Sequence, residues 1–238
     1  MIGFNRKWVL LIIGVGVIFF ILQFQFDKNN TFNGLQLPLS GKIIYLDPGH
    51  GGVDGGAGKV GALEKDIALE VSLKLRDYLQ EQGALVILTR EHDTDLADVD
   101  TKGYSRRKVE DLKERVKRIN ESEADMFLSI HLNSIPSAKW SGAQAFFSPH
   151  MKESEAVSKA IQYHLKGQLE NTTRDAKAVS NIFILKNTTK PGALIEIGFL
   201  SNPAERELLV QDKYQDRIAA TIYAGVMEYY QPNSASLK

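Results

Sequence analysis

The chain has 238 residues, with 29 Lys+Arg against 29 Asp+Glu, no Cys and a 43% hydrophobic share. The charge balance offers no basic excess for a phosphate backbone, which counts against a nucleic-acid binder. Without Cys, thiolate nucleophiles, disulfides and Cys-based zinc sites are excluded, so any metal must be held by His, Asp or Glu.

The apolar share is concentrated at the front. Val9–Leu22 (VLLIIGVGVIFFIL) has no polar side chain, and Arg6 and Lys7 are the only charges before Asp27. As a helix, Trp8–Phe26 would reach ~28 Å, close to the ~30 Å of a hydrocarbon core. The positive pair places the N-terminus in the cytoplasm and exports the rest of the chain. QFQFDKNN, which comes next, lacks a small-x-small cleavage site, so residues 1–26 are expected to be an uncleaved membrane anchor, with a cleaved signal segment as the alternative. Residues 27–40, with Gly34 and Pro38, read as a tether. The remainder suits one catalytic domain, 41–232, followed by a short tail, 233–238.

Lys42–Leu46 (KIIYL) reads as a strand that stops at Asp47-Pro48-Gly49-His50-Gly51-Gly52, which delivers His50 at its end. Ile67, Val71, Leu75 and Leu79 recur at helical spacing within Glu64–Gln82, and Gly83 supplies the stop. Ala84–Thr89 is a second strand. A helix with the stripe Val109, Leu112, Val116 and Ile119 follows. Met126–Ile130, Gly142–Phe147, Ile182–Leu185 and Ala193–Ile197 complete six strands, and Ser154–Asn171 and Lys213–Tyr230 are helical. The alternation predicts an α/β fold: a single domain with a mostly parallel sheet of about six strands, helices on both faces and the hydrophobic helix in front. In such sheets sites gather at the carboxyl ends of strands.

His50 and His131 both follow predicted strands and would meet at one edge. Glu64 opens the helix after the glycine-rich loop, where a carboxylate suits the helix N-terminus. Two imidazoles and a carboxylate would make a zinc site with an open position. By pattern alone, loop histidines and a capping carboxylate are the favoured explanation of these residues. Glu196 lies in ALIEIGF, otherwise a buried central strand, and an uncompensated carboxylate there is costly. It is either a general base beside a metal or half of a buried ion pair with an Arg such as Arg90. The glycine-rich loop lacks a following Gly-Lys-Ser/Thr, and no G-x-S-x-G is present, so nucleotide and serine-hydrolase readings fail.

Five ordered segments carry a resemblance: Leu46-Asp47-Pro48-Gly49-His50-Gly51-Gly52, Glu64-Lys65, Leu88-Thr89-Arg90, Ser129-Ile130-His131-Leu132-Asn133 and Ile195-Glu196-Ile197-Gly198-Phe199-Leu200-Ser201-Asn202. Together, over Lys42 to Tyr230, they resemble the zinc-dependent N-acetylmuramoyl-L-alanine amidases. Thr101–Arg107 and Pro136–Gln144 are similar to the family's germination-specific, spore-cortex branch. The resemblance implies one zinc ion on His50, Glu64 and His131, with Glu196 as the catalytic glutamate. The substrate would be the muramoyl–L-alanine amide of peptidoglycan, contacted by Arg90, Asn133 and Trp140. Asp47 either orients His50 or is a strand-end turn residue. In the spore-cortex branch the stripped muramic acid would pass to a deacetylase that closes a muramic δ-lactam, and a partner protein is expected to load zinc or present substrate. The setting would be extracytoplasmic, in the cortex space of the developing spore. A stem-peptide metallopeptidase and a non-catalytic peptidoglycan-binding or activator module are the rivals.

Overall fold

The computed structural model describes residues 14–20, 23 and 37–231. Residues 14–20 and 23 are helical. Among the described residues no helix is long and apolar enough to cross a membrane. Most of Trp8–Phe26, most of the tether and the tail 233–238 lie outside the described residues.

From Pro38 onward the described residues form one compact unit. The first strand, β1 (Ile43–Pro48), is followed by a small antiparallel hairpin, β2 (Gly58–Lys59) and β3 (Ala62–Leu63). Then come α1 (Glu64–Glu81), β4 (Leu85–Leu88), α2 (Tyr104–Glu121), β5 (Met126–Asn133), β6 (Gln144–Phe147) and α3 (Lys152–His164), which runs into a π turn at Leu165–Leu169. The chain ends through β7 (Lys177–Ala178), α4 (Phe183–Asn187), β8 (Gly192–Phe199), α5 (Pro203–Leu209) and α6 (Asp212–Tyr230). The six-stranded sheet has the order β4-β1-β5-β8-β6-β7. Strands β4, β1, β5 and β8 are mutually parallel, and only β6 runs antiparallel to its neighbour β8. This is the expected architecture.

Alternation along the strands sorts the two faces. Ile44 and Leu46 of β1, Leu128 and Ile130 of β5, and Ile195 and Ile197 of β8 pack with Ile67, Val71 and Leu75 of α1, Ile161 of α3 and Ile222 of α6. The alternate residues Tyr45, Phe127 and Leu194 pack with Val116 and Ile119 of α2 and with Ile184 and Leu185 of α4. Continued toward the carboxyl ends, that second face presents Asp47, Ser129, His131 and Glu196. The candidate chemistry carried by the strands thus sits at the carboxyl end of that face.

Three expectations need correction. Ile182–Leu185 is not a strand: Phe183–Leu185 begin α4, and Ile182 is the residue before it. Asn187 Nδ2 and Thr188 Oγ1 donate to the carbonyls of Phe183 and Ile184, four residues back and 2.7 and 2.8 Å away, the spacing of a helical turn. The sixth strand is instead the exposed two-residue β7. His131 lies inside β5 rather than after it, because β5 continues beyond Ile130 alongside β8, with a register shift between His131 and Asn133. On α2, Val109 is 52% exposed, while Asp111 and Arg115 are buried in what reads as an apolar stripe. The helix covers a strand end carrying the Asp47 carboxylate, so a charged pair there is compensated rather than excluded.

Candidate active site

β1 stops at Pro48, and the chain turns through His50, whose φ is 60°. That left-handed conformation costs a residue with a Cβ roughly 1–2 kcal/mol. Arg115 of α2 holds the turn: Nη1 donates to Asp47 Oδ1 and to the Pro48 carbonyl, each at 2.7 Å, and Nη2 donates to the His50 carbonyl. Arg115 Nε also pairs with Asp111 at 2.8 Å. Asp47 is completed by Thr89 Oγ1 at 2.8 Å and Ser129 Oγ at 2.6 Å. Burial alone would raise the Asp47 pKa, but Arg115 and the Ser129 hydroxyl hold it below the usual carboxylate range.

Glu64 enters from α1. No side chain caps this helix. The Glu64 and Lys65 amides instead donate to the carbonyls of Ala57 and Gly55, so the glycine-rich loop itself satisfies the helix start. The Glu64 side chain is buried, and each oxygen accepts a main-chain amide: Oε2 from Ala57 at 2.8 Å and Oε1 from Leu132 at 3.0 Å. Oε1 lies 2.9 Å from His131 Nδ1, and Oε2 lies 3.2 Å from His50 Nε2. Burial opposes the charge on Glu64, but hydrogen bonds to His131 and His50 keep it well below the ordinary range. The loop reaches this crowded point because Gly56 has φ +66 and no Cβ, which would sit 2.6 Å from Glu64 Oε2.

Asp54 Oδ2 is 2.8 Å from His50 Nδ1. An ionised carboxylate only accepts, so Nδ1 carries the proton and Nε2 turns toward Glu64. Two acceptors 3.2 Å apart require a shared cation, either a proton or a metal. Potential ligand atoms, one each from His50, Glu64 and His131, lie within 4.8 Å of one another, and among the described residues this is the one group of His, Asp or Glu that could hold a metal ion. The arrangement fits a divalent metal.

Glu196 faces this centre from β8. It stands opposite His131 in the β5/β8 register and opposite Gln144 in the β6/β8 register. Its Oε2 is buried with no hydrogen-bond partner. Burial pushes its pKa up to about 7, with His131 and His50 lowering it and Glu64 raising it. A carboxylate poised near neutrality beside a triad that could hold a metal is equipped to take up and return a proton.

The structure therefore brings His50, Glu64, His131 and Glu196 together and distributes the other candidates. Arg90 is 3% exposed and donates to the main-chain carbonyls of Pro48, Gly49, Lys65 and His92 at 2.7–3.2 Å. Among the described residues no salt bridge joins Arg90 to Glu196, so the buried ion-pair reading loses its partner. Asn133 ends β5, half-buried, and its carbonyl accepts from the Leu200 amide at 2.9 Å. Trp140 is 54% exposed, in the loop joining β5 to β6 at the same sheet edge. It borders a cleft of about 370 Å³ with Ser141, Asn171, Thr173 and Arg174. Asp47 is not the residue that orients His50, because its oxygens are bonded to Thr89, Arg115 and Ser129. Asp54 fills that place. The signal for it was a carboxylate four positions after His50 inside the glycine-rich loop.

A family model described as N-acetylmuramoyl-L-alanine amidase matches residues 44–228. The germination-specific N-acetylmuramoyl-L-alanine amidase of Bacillus subtilis (strain 168) is 58% identical over 224 residues, covering 94% of this chain and 94% of that protein. The CwlD amidase from Clostridioides difficile, solved in complex with the GerS lipoprotein, superposes with a TM-score of 0.78 at 42% identity, covering 81% of this chain and 100% of that one. An N-acetylmuramoyl-L-alanine amidase from Clostridium difficile 630 gives a TM-score of 0.71 at 28% identity, over 81% of this chain and 98% of that one.

Proposed function

The chain belongs to the N-acetylmuramoyl-L-alanine amidase family and is an amidase of that kind, and from this we propose that it works with one zinc ion held by His50, Glu64 and His131, with Glu196 as the catalytic carboxylate. Two imidazoles and one carboxylate are the donor set of open catalytic zinc sites, in which the ion lowers the pKa of water and polarises a carbonyl. Glu196 accepts the proton of the attacking water as its oxygen adds to the lactyl carbonyl carbon. It returns that proton to the L-alanine nitrogen as the C–N bond breaks, leaving a muramic acid carboxylate and a free peptide amine. Asn133 and Trp140, at the same edge, are proposed to contact glycan or stem peptide. The buried Arg90 would act on substrate only through the loop carbonyls it holds.

The single observation that carries this reading is the unpartnered, buried Oε2 of Glu196 beside the triad. We further propose that the amidase acts in spore-cortex maturation and germination, which the 58% identity to a germination-specific relative supports. The stripped muramic acid would then be handed to a deacetylase that forms the δ-lactam. The complex of the Clostridioides difficile relative with a lipoprotein supports an accessory protein of this class. Residues 1–26 are proposed to anchor the enzyme at the outer face of a membrane, with 27–40 as tether and 41–232 as the catalytic domain.

The test is mass spectrometry of muropeptides after incubation of intact peptidoglycan with the zinc-loaded protein. Glycan stripped of whole stem peptides, with new L-alanine amino termini, is the expected product. Cuts within the stem peptide would make the protein a metallopeptidase instead. No cut by a zinc-loaded protein, with or without its accessory partner, would make it a binding module.

A further inference from the structure

The side chain of His50 is held by a helix that contributes no ligand. Asp54 accepts from His50 Nδ1, and Asp54 is itself fixed by α2: Lys108 Nζ lies 2.9 Å from Oδ2, and Tyr104 Oη donates to Oδ1 at 2.8 Å. The Gly56 amide also reaches Oδ1, at 3.1 Å. Seven residues beyond Lys108, Arg115 of the same helix grips the His50 carbonyl. The left-handed main chain of His50 and the orientation of its ring are therefore both referred to α2. A cavity of about 40 Å³, lined by Gly49, His50, Lys108, Leu112, Arg115 and His131 among others, separates helix and site.

We infer that Asp54, locked by Tyr104 and Lys108 of α2, is the positioning residue that presents His50 Nε2 to the metal, so that zinc retention depends on a helix outside the ligand set. The inference rests on the proposed zinc site. An outer carboxylate that fixes the ring and tautomer of a ligating histidine typically governs metal affinity by 10–100-fold. Tyr104 and Lys108 act one bond further out, and their effect is expected to be smaller and to pass through Asp54.

The test is zinc affinity and zinc release to a chromophoric chelator for the full chain and for Asp54→Ala, Asp54→Glu, Tyr104→Phe and Lys108→Met. Thermal unfolding of each metal-free form is followed alongside. We expect about 10–100-fold weaker zinc binding for Asp54→Ala, partial rescue by Asp54→Glu, and a weaker loss for Tyr104→Phe and Lys108→Met that disappears in the Asp54→Ala background. A merely structural role would lower metal-free unfolding temperatures and leave zinc affinity unchanged, which would overturn the inference. Loss at Asp54 with no effect of Tyr104 or Lys108 would overturn the part assigned to α2. If the unsubstituted chain itself bound no zinc, the zinc reading would fall, and that outcome is distinct from equal affinities across the series.

Discussion

Glu196 on β8 stands opposite His131 on β5 in the parallel register of the two central strands, with its Oε2 buried and unpartnered. The pairing puts a carboxylate of pKa about 7 next to an imidazole of the proposed metal site. Glu196→Gln preserves shape and removes the proposed proton acceptor. Hydrolysis of peptidoglycan is expected to fall by about 10²–10⁴-fold with zinc content unchanged. A bound dication stabilises the carboxylate, so the acid limb of kcat/KM in the loaded enzyme should lie below about 7, and activity is lost as pH falls through it. Wild-type-like release of L-alanine amino termini by the variant would remove Glu196 from the mechanism.

Asp47 contributes to stability in a defined pH window. Its pKa is lowered in the fold, below the ~3.9 of an unfolded chain. Its contribution is therefore complete above about pH 4 and declines as pH falls through the folded value. Asp47→Asn leaves Arg115 short of its buried partner, and we expect a loss of about 3 kcal/mol at neutral pH. Urea titrations of the metal-free protein at neutral pH and near pH 3 should show the difference between the two proteins shrinking in acid. A difference that stays constant would show that the carboxylate's charge is not what stabilises the turn.

Gly56 and Gly61 separate crowding from backbone strain. A Cβ on Gly56 would meet Glu64 Oε2 at 2.6 Å and His50 Cδ2 at 2.8 Å, whereas Gly61, also at positive φ (+83), has nothing within 4 Å. Gly61→Ala should cost about 1 kcal/mol of stability and leave metal binding intact. Gly56→Ala should in addition weaken zinc binding by about tenfold or more, because it displaces two of the proposed ligands, Glu64 and His50. Calorimetric titration with zinc distinguishes the two. Equal affinities would mean that the loop relaxes away from Glu64.

Glu205 ties the loop bearing Trp140 to β8. Both of its oxygens accept from the Gly142 amide, at 2.9 and 3.1 Å, and Oε2 also accepts from the Phe199 amide at 2.8 Å. Glu205→Ala leaves two buried amides without an acceptor and should cost about 3 kcal/mol. Glu205→Gln, which keeps an oxygen, should recover part of it in urea unfolding. If the Trp140 loop contacts substrate, KM for peptidoglycan fragments should rise in Glu205→Ala more than kcat falls.

Much of this protein was legible from local pattern. The helical stripe Ile67, Val71, Leu75 and Leu79 and the strands around His50 and Glu196 fold where their periods place them. Glu196 could be singled out because a carboxylate inside ALIEIGF has no local excuse. Asp111 and Arg115 were less legible, because a charged pair in an apolar stripe declares its purpose only once Asp47 is known to lie beneath it. The exposed two residues of β7 carry no hydrophobic signal at all.

By itself, the sequence determined the residue types that can do the chemistry and, by excluding thiols, confined any metal to imidazole and carboxylate. It also determined most of the elements, because periods of 2 and 3.6 are properties of neighbouring residues. Only the tertiary structure decided that Asp54 rather than Asp47 holds His50, that Arg90 supports the glycine-rich loop, and that Phe183–Leu185 folds as part of a helix. The Arg90 outcome depends on which donor meets which acceptor across 41 residues, and the Asp47 outcome on Thr89, Arg115 and Ser129 claiming its oxygens from 42 to 82 residues away. Contacts of that range form only once the elements have packed, and neighbouring residues do not encode them.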